Sequence, residues 1–188
     1  MRVFLAVAPG EPFRTALSSR LDAARRAVPA AWTRPDSWHL TLQFLGEWPQ
    51  ERLAGLQGAL DDADPGPPFS LRPGGLGAFP DLRRPRVLFL HLQDDGQAAA
   101  LAGRLRAAVD AAWSDGPQDR KAFRPHLTLA RVRTPLGHEE LRTLSGIDLC
   151  RLPEIPVEGF TLVASALGPG GSRYRDLAFW SMRKKGEQ

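Results

Sequence analysis

The tetrapeptide His-Leu-Thr-Leu occurs twice in this 188-residue chain, at 39–42 and at 126–129. The chain holds four histidines, His39, His91, His126 and His138. A chance match of three residues after any two given histidines has a probability of roughly 10⁻³ at ordinary residue frequencies. The repeat therefore points to a duplicated unit, with each copy inside an alternating apolar and polar stretch of the kind that forms a half-buried strand. On such a strand His and Thr, two residues apart, share one face, and both leucines face the core. Two strands of this kind lining one cleft present two imidazoles and two hydroxyls to a common centre. Imidazole titrates near neutrality, so one ring can be neutral while the other is protonated. That pair removes a proton from a nucleophile and returns one to a leaving oxygen. Threonine hydroxyls donate to phosphate oxygens. Phosphoryl transfer rests mainly on positioning and charge stabilisation, so this set suits it without a metal.

The rest of the chain supplies alternating strands and helices. Strands are expected at 3–7, 38–45, 69–76, 86–92, 127–132, 157–167 and 174–182, with loops at 77–85 and 114–121 and a turn at 168–172. Helices are expected at 11–28, 50–63, 97–113 and, in short form, 136–144. In the first of them Phe13, Leu17, Leu21, Ala24 and Val28 fall on one face. On the strand at 38–45 the pattern sets His39, Thr41 and Gln43 on the polar face. The order is not the strict alternation of a doubly wound sheet. The class is α+β, with mixed or antiparallel sheets and helices outside.

Composition narrows the remaining chemistry. A single cysteine, Cys150, excludes an internal disulfide framework and a cysteine-rich zinc site. His-x-Thr offers no second metal ligand on its strand, and no Gly-x-Ser-x-Gly elbow is present. The apolar runs are strand-sized, and the short one at the N-terminus ends at Pro9-Gly10, so neither a membrane span nor a secretory leader is expected. A cytoplasmic monomer is the default. The formal net charge is +4 with three lysines only, which permits a polyanionic partner without establishing one. Arg83, Arg84 and Arg86 form a basic cluster beside Phe79 and Pro80, readable as an RNA-backbone contact or as a solvated loop. His91, alternating with Val and Phe residues, reads as structural or surface-facing, and His138 as a solvated helix start.

HLTLQFLG at 39–46 and PHLTLAR at 125–131 resemble the paired motifs of the two-histidine phosphoesterase superfamily. The resemblance is closest to the bacterial and archaeal RNA 2′,3′-cyclic phosphodiesterases, also called 2′-5′ RNA ligases. It continues through MRVFLAV at the start, GLGAFP, RPRVLFL and LVASALGPGGSRY, in order. It implies one domain over 1–188, a bilobal duplicated fold with two pseudo-symmetric lobes around a central cleft. It also implies metal-independent hydrolysis, with no cofactor, of a terminal RNA 2′,3′-cyclic phosphate to a 2′-phosphate. The substrates include tRNA fragments, and 2′-5′ ligation without ATP is the reverse-type reaction. By motif match His39 is the proton donor and His126 the proton acceptor, although the residues alone give a symmetric pair. Thr41 and Thr128 hold the phosphate oxygens. Arg131 matches an arginine that the family places after its second motif. Regular alternation turns it away from His126 unless a bulge intervenes. Phe44 is a base-stacking or core residue. Tyr174, with Arg173 and Arg175, lies in the cleft or on an exposed hairpin. Two alternatives remain: a phosphodiesterase for a small cyclic phosphate (an ADP-ribose cyclic phosphate or a cyclic nucleotide), and a non-catalytic module that binds RNA ends.

Overall fold

A computed structural model of the chain describes residues 1–116, 122–168 and 171–182. Parts of the expected 114–121 loop and 168–172 turn lie outside these residues. Strand β1 (Arg2–Val7) leads into helix α1 (Glu11–Ala27), then a short β2 (Ala31–Trp32) and β3 (Leu40–Glu47). Helix α2 (Leu53–Asp61), β4 (Phe69–Phe79), β5 (Val87–Gln93) and α3 (Gln97–Ala112) follow. The chain continues through β6 (His126–Arg131), α4 (His138–Ser145), β7 (Ile155–Val157), β8 (Gly159–Gly168) and β9 (Gly171–Ser181).

The strands form one curled sheet in the order β7-β4-β5-β6-β3-β1-β8-β9, with β2 added beside β6. Every pairing among the described residues is antiparallel. The two motif strands, β3 and β6, stand at the centre and meet at one register position, Leu40 opposite Leu127. Both leucines are buried, at 2% and 0% exposure. The units β1-α1-β3 and β5-α3-β6 share an element order: a strand, a helix, and then the motif strand paired antiparallel to the first.

The helices pack through the faces their sequences dictate. Phe13, Leu17, Leu21 and Ala24 of α1 are buried, as are Ala98, Leu101, Leu105 and Val109 of α3. Both sets belong to one core with Leu40, Leu42, Leu127 and Leu129 of the motif strands. The other face of the sheet carries a small separate cluster, Phe4, Ala6 and Val163, with Phe44 against it. No helix among the described residues is long and apolar enough to cross a membrane.

The structure corrects several expectations. Residues 50–63 divide into a 3-10 turn, Gln50–Arg52, and the shorter α2. The expected 77–85 loop starts later, because β4 pairs with β5 as far as Phe79. Strands β2 and β7 escaped notice because two or three residues carry no readable period. Gln43 does not share a face with His39 and Thr41. It is buried at 5% exposure, the one buried polar residue among those described. The cause is a bulge. Leu5 pairs with Gln43 and Ala6 with Thr41, which leaves Leu42 as an extra residue on β3. The extra residue reverses the alternation, so Leu42 and Gln43 both face inward and Phe44 returns to the side of Thr41. A second shift skips Leu45, next to Gly46 at φ 71°, a left-handed conformation that glycine adopts without a Cβ penalty.

Leu127→Ala removes the packing at the junction of the two motif strands. It should lower stability by about 2–5 kcal/mol. A denaturant midpoint that falls with an unchanged m value checks this; an unmoved midpoint would show that the junction carries no core packing.

Candidate active site

Each motif histidine is held in the same way. His39 follows the 3-10 turn Pro35–Ser37, and its Nδ1–H donates to the Ser37 carbonyl at 2.8 Å. His126 follows Pro125, and its Nδ1–H donates to the Arg124 carbonyl at 2.7 Å. In both cases the acceptor is the backbone two residues upstream. This bond fixes the tautomer in the neutral ring and leaves Nε2 as the working nitrogen. Aromatic rings limit each imidazole's swing. Phe4 lies 4.8 Å from the His39 ring, and Tyr174 lies 5.1 Å away, edge-on. Phe89 and Phe79 stand 5.4 Å and 5.8 Å from His126. A side chain at Gly77 would collide with the Phe89 ring, so this glycine lets β4 run beneath it.

The residues expected to act together are brought together. A cavity of about 370 Å³ is lined by His39, Thr41, Phe44, Thr128, Arg131 and Tyr174. His126 borders an adjoining cavity of about 410 Å³, and Thr41 and Phe44 line both. The two cavities share Thr41 and Phe44 as a common wall, and together they are called the cleft. A larger cavity, about 770 Å³, lies between α2 and β9 and contains no histidine. Its carboxylates bond to groups of its own wall: Asp61 accepts from the Trp180 indole at 2.6 Å and Asp64 from the Gly66 N–H at 2.9 Å. Size alone would pick the wrong place.

Arg131 reaches the cleft by the device seen in β3. Phe89 pairs with Thr128 and Leu88 with Ala130, so Leu129 is the extra residue of a bulge on β6. Leu129 and Ala130 are both buried, at 0% exposure, and Arg131 turns back to the side of Thr128. Phe44 and Arg131 thus occupy equivalent positions, each five residues after its histidine and each past a bulge. Phe44 is half-buried, with the Arg2 guanidinium 4.9 Å above its ring. Tyr174 is exposed toward the cleft, whereas Arg173 and Arg175 do not line it. His91 pairs directly with His126 but is exposed and does not border either cavity. His138 opens α4 and is exposed, as expected.

Sequence reasoning missed Phe4, Phe89 and the two carbonyls at Ser37 and Arg124. The phenylalanines had a signal, in the matching Val-Phe-Leu and Leu-Phe-Leu of β1 and β5. The carbonyls had none, since any residue supplies one.

The surroundings of His39 act on its charge. Burial pushes the His39 pKa below the ordinary imidazole value, and the charge of His126 lowers it further. The bond to Ser37 opposes both effects. His39 is therefore harder to protonate than an ordinary imidazole, and an anion beside it favours its charged form.

The LigT like Phosphoesterase family matches the chain twice, over residues 9–89 and 94–174, one motif in each match. The chain belongs to this family. A relative from Thermus thermophilus, named RNA 2′,3′-cyclic phosphodiesterase, is 37% identical over 97% of this chain and 91% of its own length. One of the same name from Archaeoglobus fulgidus is 30% identical over 94% of this chain and 98% of its own length. A crystal structure of a Thermus thermophilus protein superposes with a TM-score of 0.84 at 35% identity, covering 98% of this chain and 100% of that one. Escherichia coli LigT complexed with 3′-AMP superposes with a TM-score of 0.75 at 26% identity, covering 97% and 98%.

An NMR titration of the His39 ring should give a midpoint below the ordinary imidazole value. His126→Gln should move it up, since a like charge is removed, and so should inorganic phosphate. A midpoint indifferent to both would separate the two rings electrostatically.

Proposed function

We propose that the chain hydrolyses the 2′,3′-cyclic phosphate at the end of an RNA strand to a 2′-phosphate, with His39 and His126 as its acid–base pair. The observation that carries this reading is the paired anchoring of the two imidazoles. Each has Nδ1 tied to a backbone carbonyl; His39 shares its cavity with Thr41, Thr128 and Arg131, and His126 borders the adjoining cavity, which Thr41 also lines. The names of the relatives support the substrate, and the Escherichia coli relative has been crystallised with 3′-AMP and with phosphate.

In this reading the phosphate sits against Thr41 and Thr128, whose hydroxyls donate to its nonbridging oxygens, with Arg131 countering its charge. His126, neutral, takes a proton from water as the water oxygen bonds to phosphorus. The bond from phosphorus to O3′ breaks, and His39, protonated, gives its proton to O3′. The product carries a 2′-phosphate and a free 3′-hydroxyl, and solvent resets the two rings. A 5′-hydroxyl attacking in place of water leaves a 2′-5′ linkage by the same proton movements. His39 is a strong acid once charged, because its surroundings disfavour the proton, and the anionic substrate supplies the opposing charge that loads it. Phe44 and Tyr174 flank the phosphate as stacking surfaces for the terminal nucleotide.

We further propose a monomer as the working form, since one chain supplies every named group of the cleft. The cytoplasm is its proposed compartment, and tRNA fragments ending in a cyclic phosphate are among its proposed substrates.

The test is a short RNA with a 2′,3′-cyclic end, incubated in the presence of a chelator, with the phosphate position of the product determined. A 2′-phosphate is expected; a 3′-phosphate, or no product, overturns the reading. Thr41→Val and Thr128→Val should each lower kcat by about 10²–10³, the usual cost of one lost donor to a developing charge. Rates at the wild-type level would remove the threonines from the site.

A further inference from the structure

A second basic surface opens beside the cleft. Arg83, Arg84 and Arg86 of the turn between β4 and β5 line a groove of about 640 Å³, and Arg133, just beyond β6, lines it with them. All four are exposed, and no carboxylate among the described residues borders the groove. The neighbouring acids are occupied. Asp81 Oδ1 accepts the backbone N–H groups of Arg83 and Arg84, at 2.7 Å and 3.0 Å, which orders the turn. Glu139 pairs with Arg142 at 3.5 Å. Four guanidinium groups around one depression with no carboxylate on its lining favour a polyanion, and Asp81 beside the turn offsets only part of their charge.

The groove is joined to the cleft at two points. Arg131 lies in the cleft and Arg133 in the groove, a separation that two residues of extended chain span in about 7 Å. Between them the Val132 N–H donates to the Arg86 carbonyl at 2.9 Å, which ties the turn to the end of β6. On the other side Phe79 borders the His126 cavity and Pro80 the groove, while the Arg86 N–H donates to the Phe79 carbonyl at 2.7 Å. The turn bearing the arginines is thus fixed to both walls of the site.

We propose that this groove holds the RNA strand leading up to the cyclic phosphate, through its backbone phosphates. The proposal rests on the functional reading above and extends it from a terminal nucleotide to an oligomer. Guanidinium groups grip phosphate oxygens in bidentate fashion, and the other walls include Pro80, Pro85 and Pro135, whose side chains offer nothing to read a base edge. Binding of this kind, made to phosphates, weakens with salt.

The experiment compares the wild type with Arg84→Gln/Arg133→Gln, using a 2′,3′-cyclic mononucleotide and a decamer RNA with the same end, at 50 and 200 mM salt. Binding of a fluorescent decamer ending in a 2′-phosphate is read in parallel. The wild type should prefer the decamer in kcat/KM. The variant should lose about tenfold or more of that preference, leave the mononucleotide rate unchanged, and reduce the salt slope by about 0.7 per contact removed. Arg84→Lys/Arg133→Lys, which keeps the charge, should recover part of the loss. A variant that matches the wild type on the decamer, or that loses both substrates in proportion, overturns the groove. If the wild type turns over neither substrate, the reading of the cleft fails. The groove is then upheld by loss of decamer affinity in the variant, or overturned by its retention.

Discussion

The junction of the two motif strands, where Leu40 stands opposite Leu127, is what the site depends on. Neither motif makes a cleft alone. Each brings an imidazole and a hydroxyl to one face of its strand, and the leucines behind them anchor that face to a shared core. The energy that orders the histidines comes from apolar burial on the opposite side of the sheet, where α1 and α3 pack. The polar face is left free to be shaped by chemistry.

Two bulges then decide what joins the histidines. Leu42 on β3 and Leu129 on β6 are each one residue too many for the pairing. Each reverses the alternation at the same distance from its histidine. A strictly regular β6 would turn Arg131 away from the cleft, and a strictly regular β3 would do the same to Phe44. The site is a pair of near-equivalent half-sites that differ at this position, an aromatic ring on one strand and a guanidinium on the other. Burial also holds the His39 pKa below the ordinary imidazole value.

Much of this was legible beforehand. The repeat identified the two histidines and threonines, and helix periodicity identified the buried face of α1 residue by residue. Period-two reasoning misplaced Gln43 and left Arg131 open, because a bulge is a property of pairing between strands and leaves no mark on one strand's pattern. The carbonyls of Ser37 and Arg124 were illegible for a plainer reason, since a backbone acceptor has no side-chain signature. The arginines at 83–86 stood out as a cluster, but Arg133 joined them only once the end of β6 lay against the turn.

The central claim is that His39 and His126 act as one unit on one phosphate. A double-mutant comparison tests it most directly: kcat for hydrolysis of an RNA 2′,3′-cyclic phosphate by His39→Ala, His126→Ala and the pair. Each single change should cost about 10²–10⁴. The double variant should lose little more than either single one, as for groups that serve a common step. A double variant whose loss equals the product of the two single losses would contradict the account, because the rings would then contribute independently.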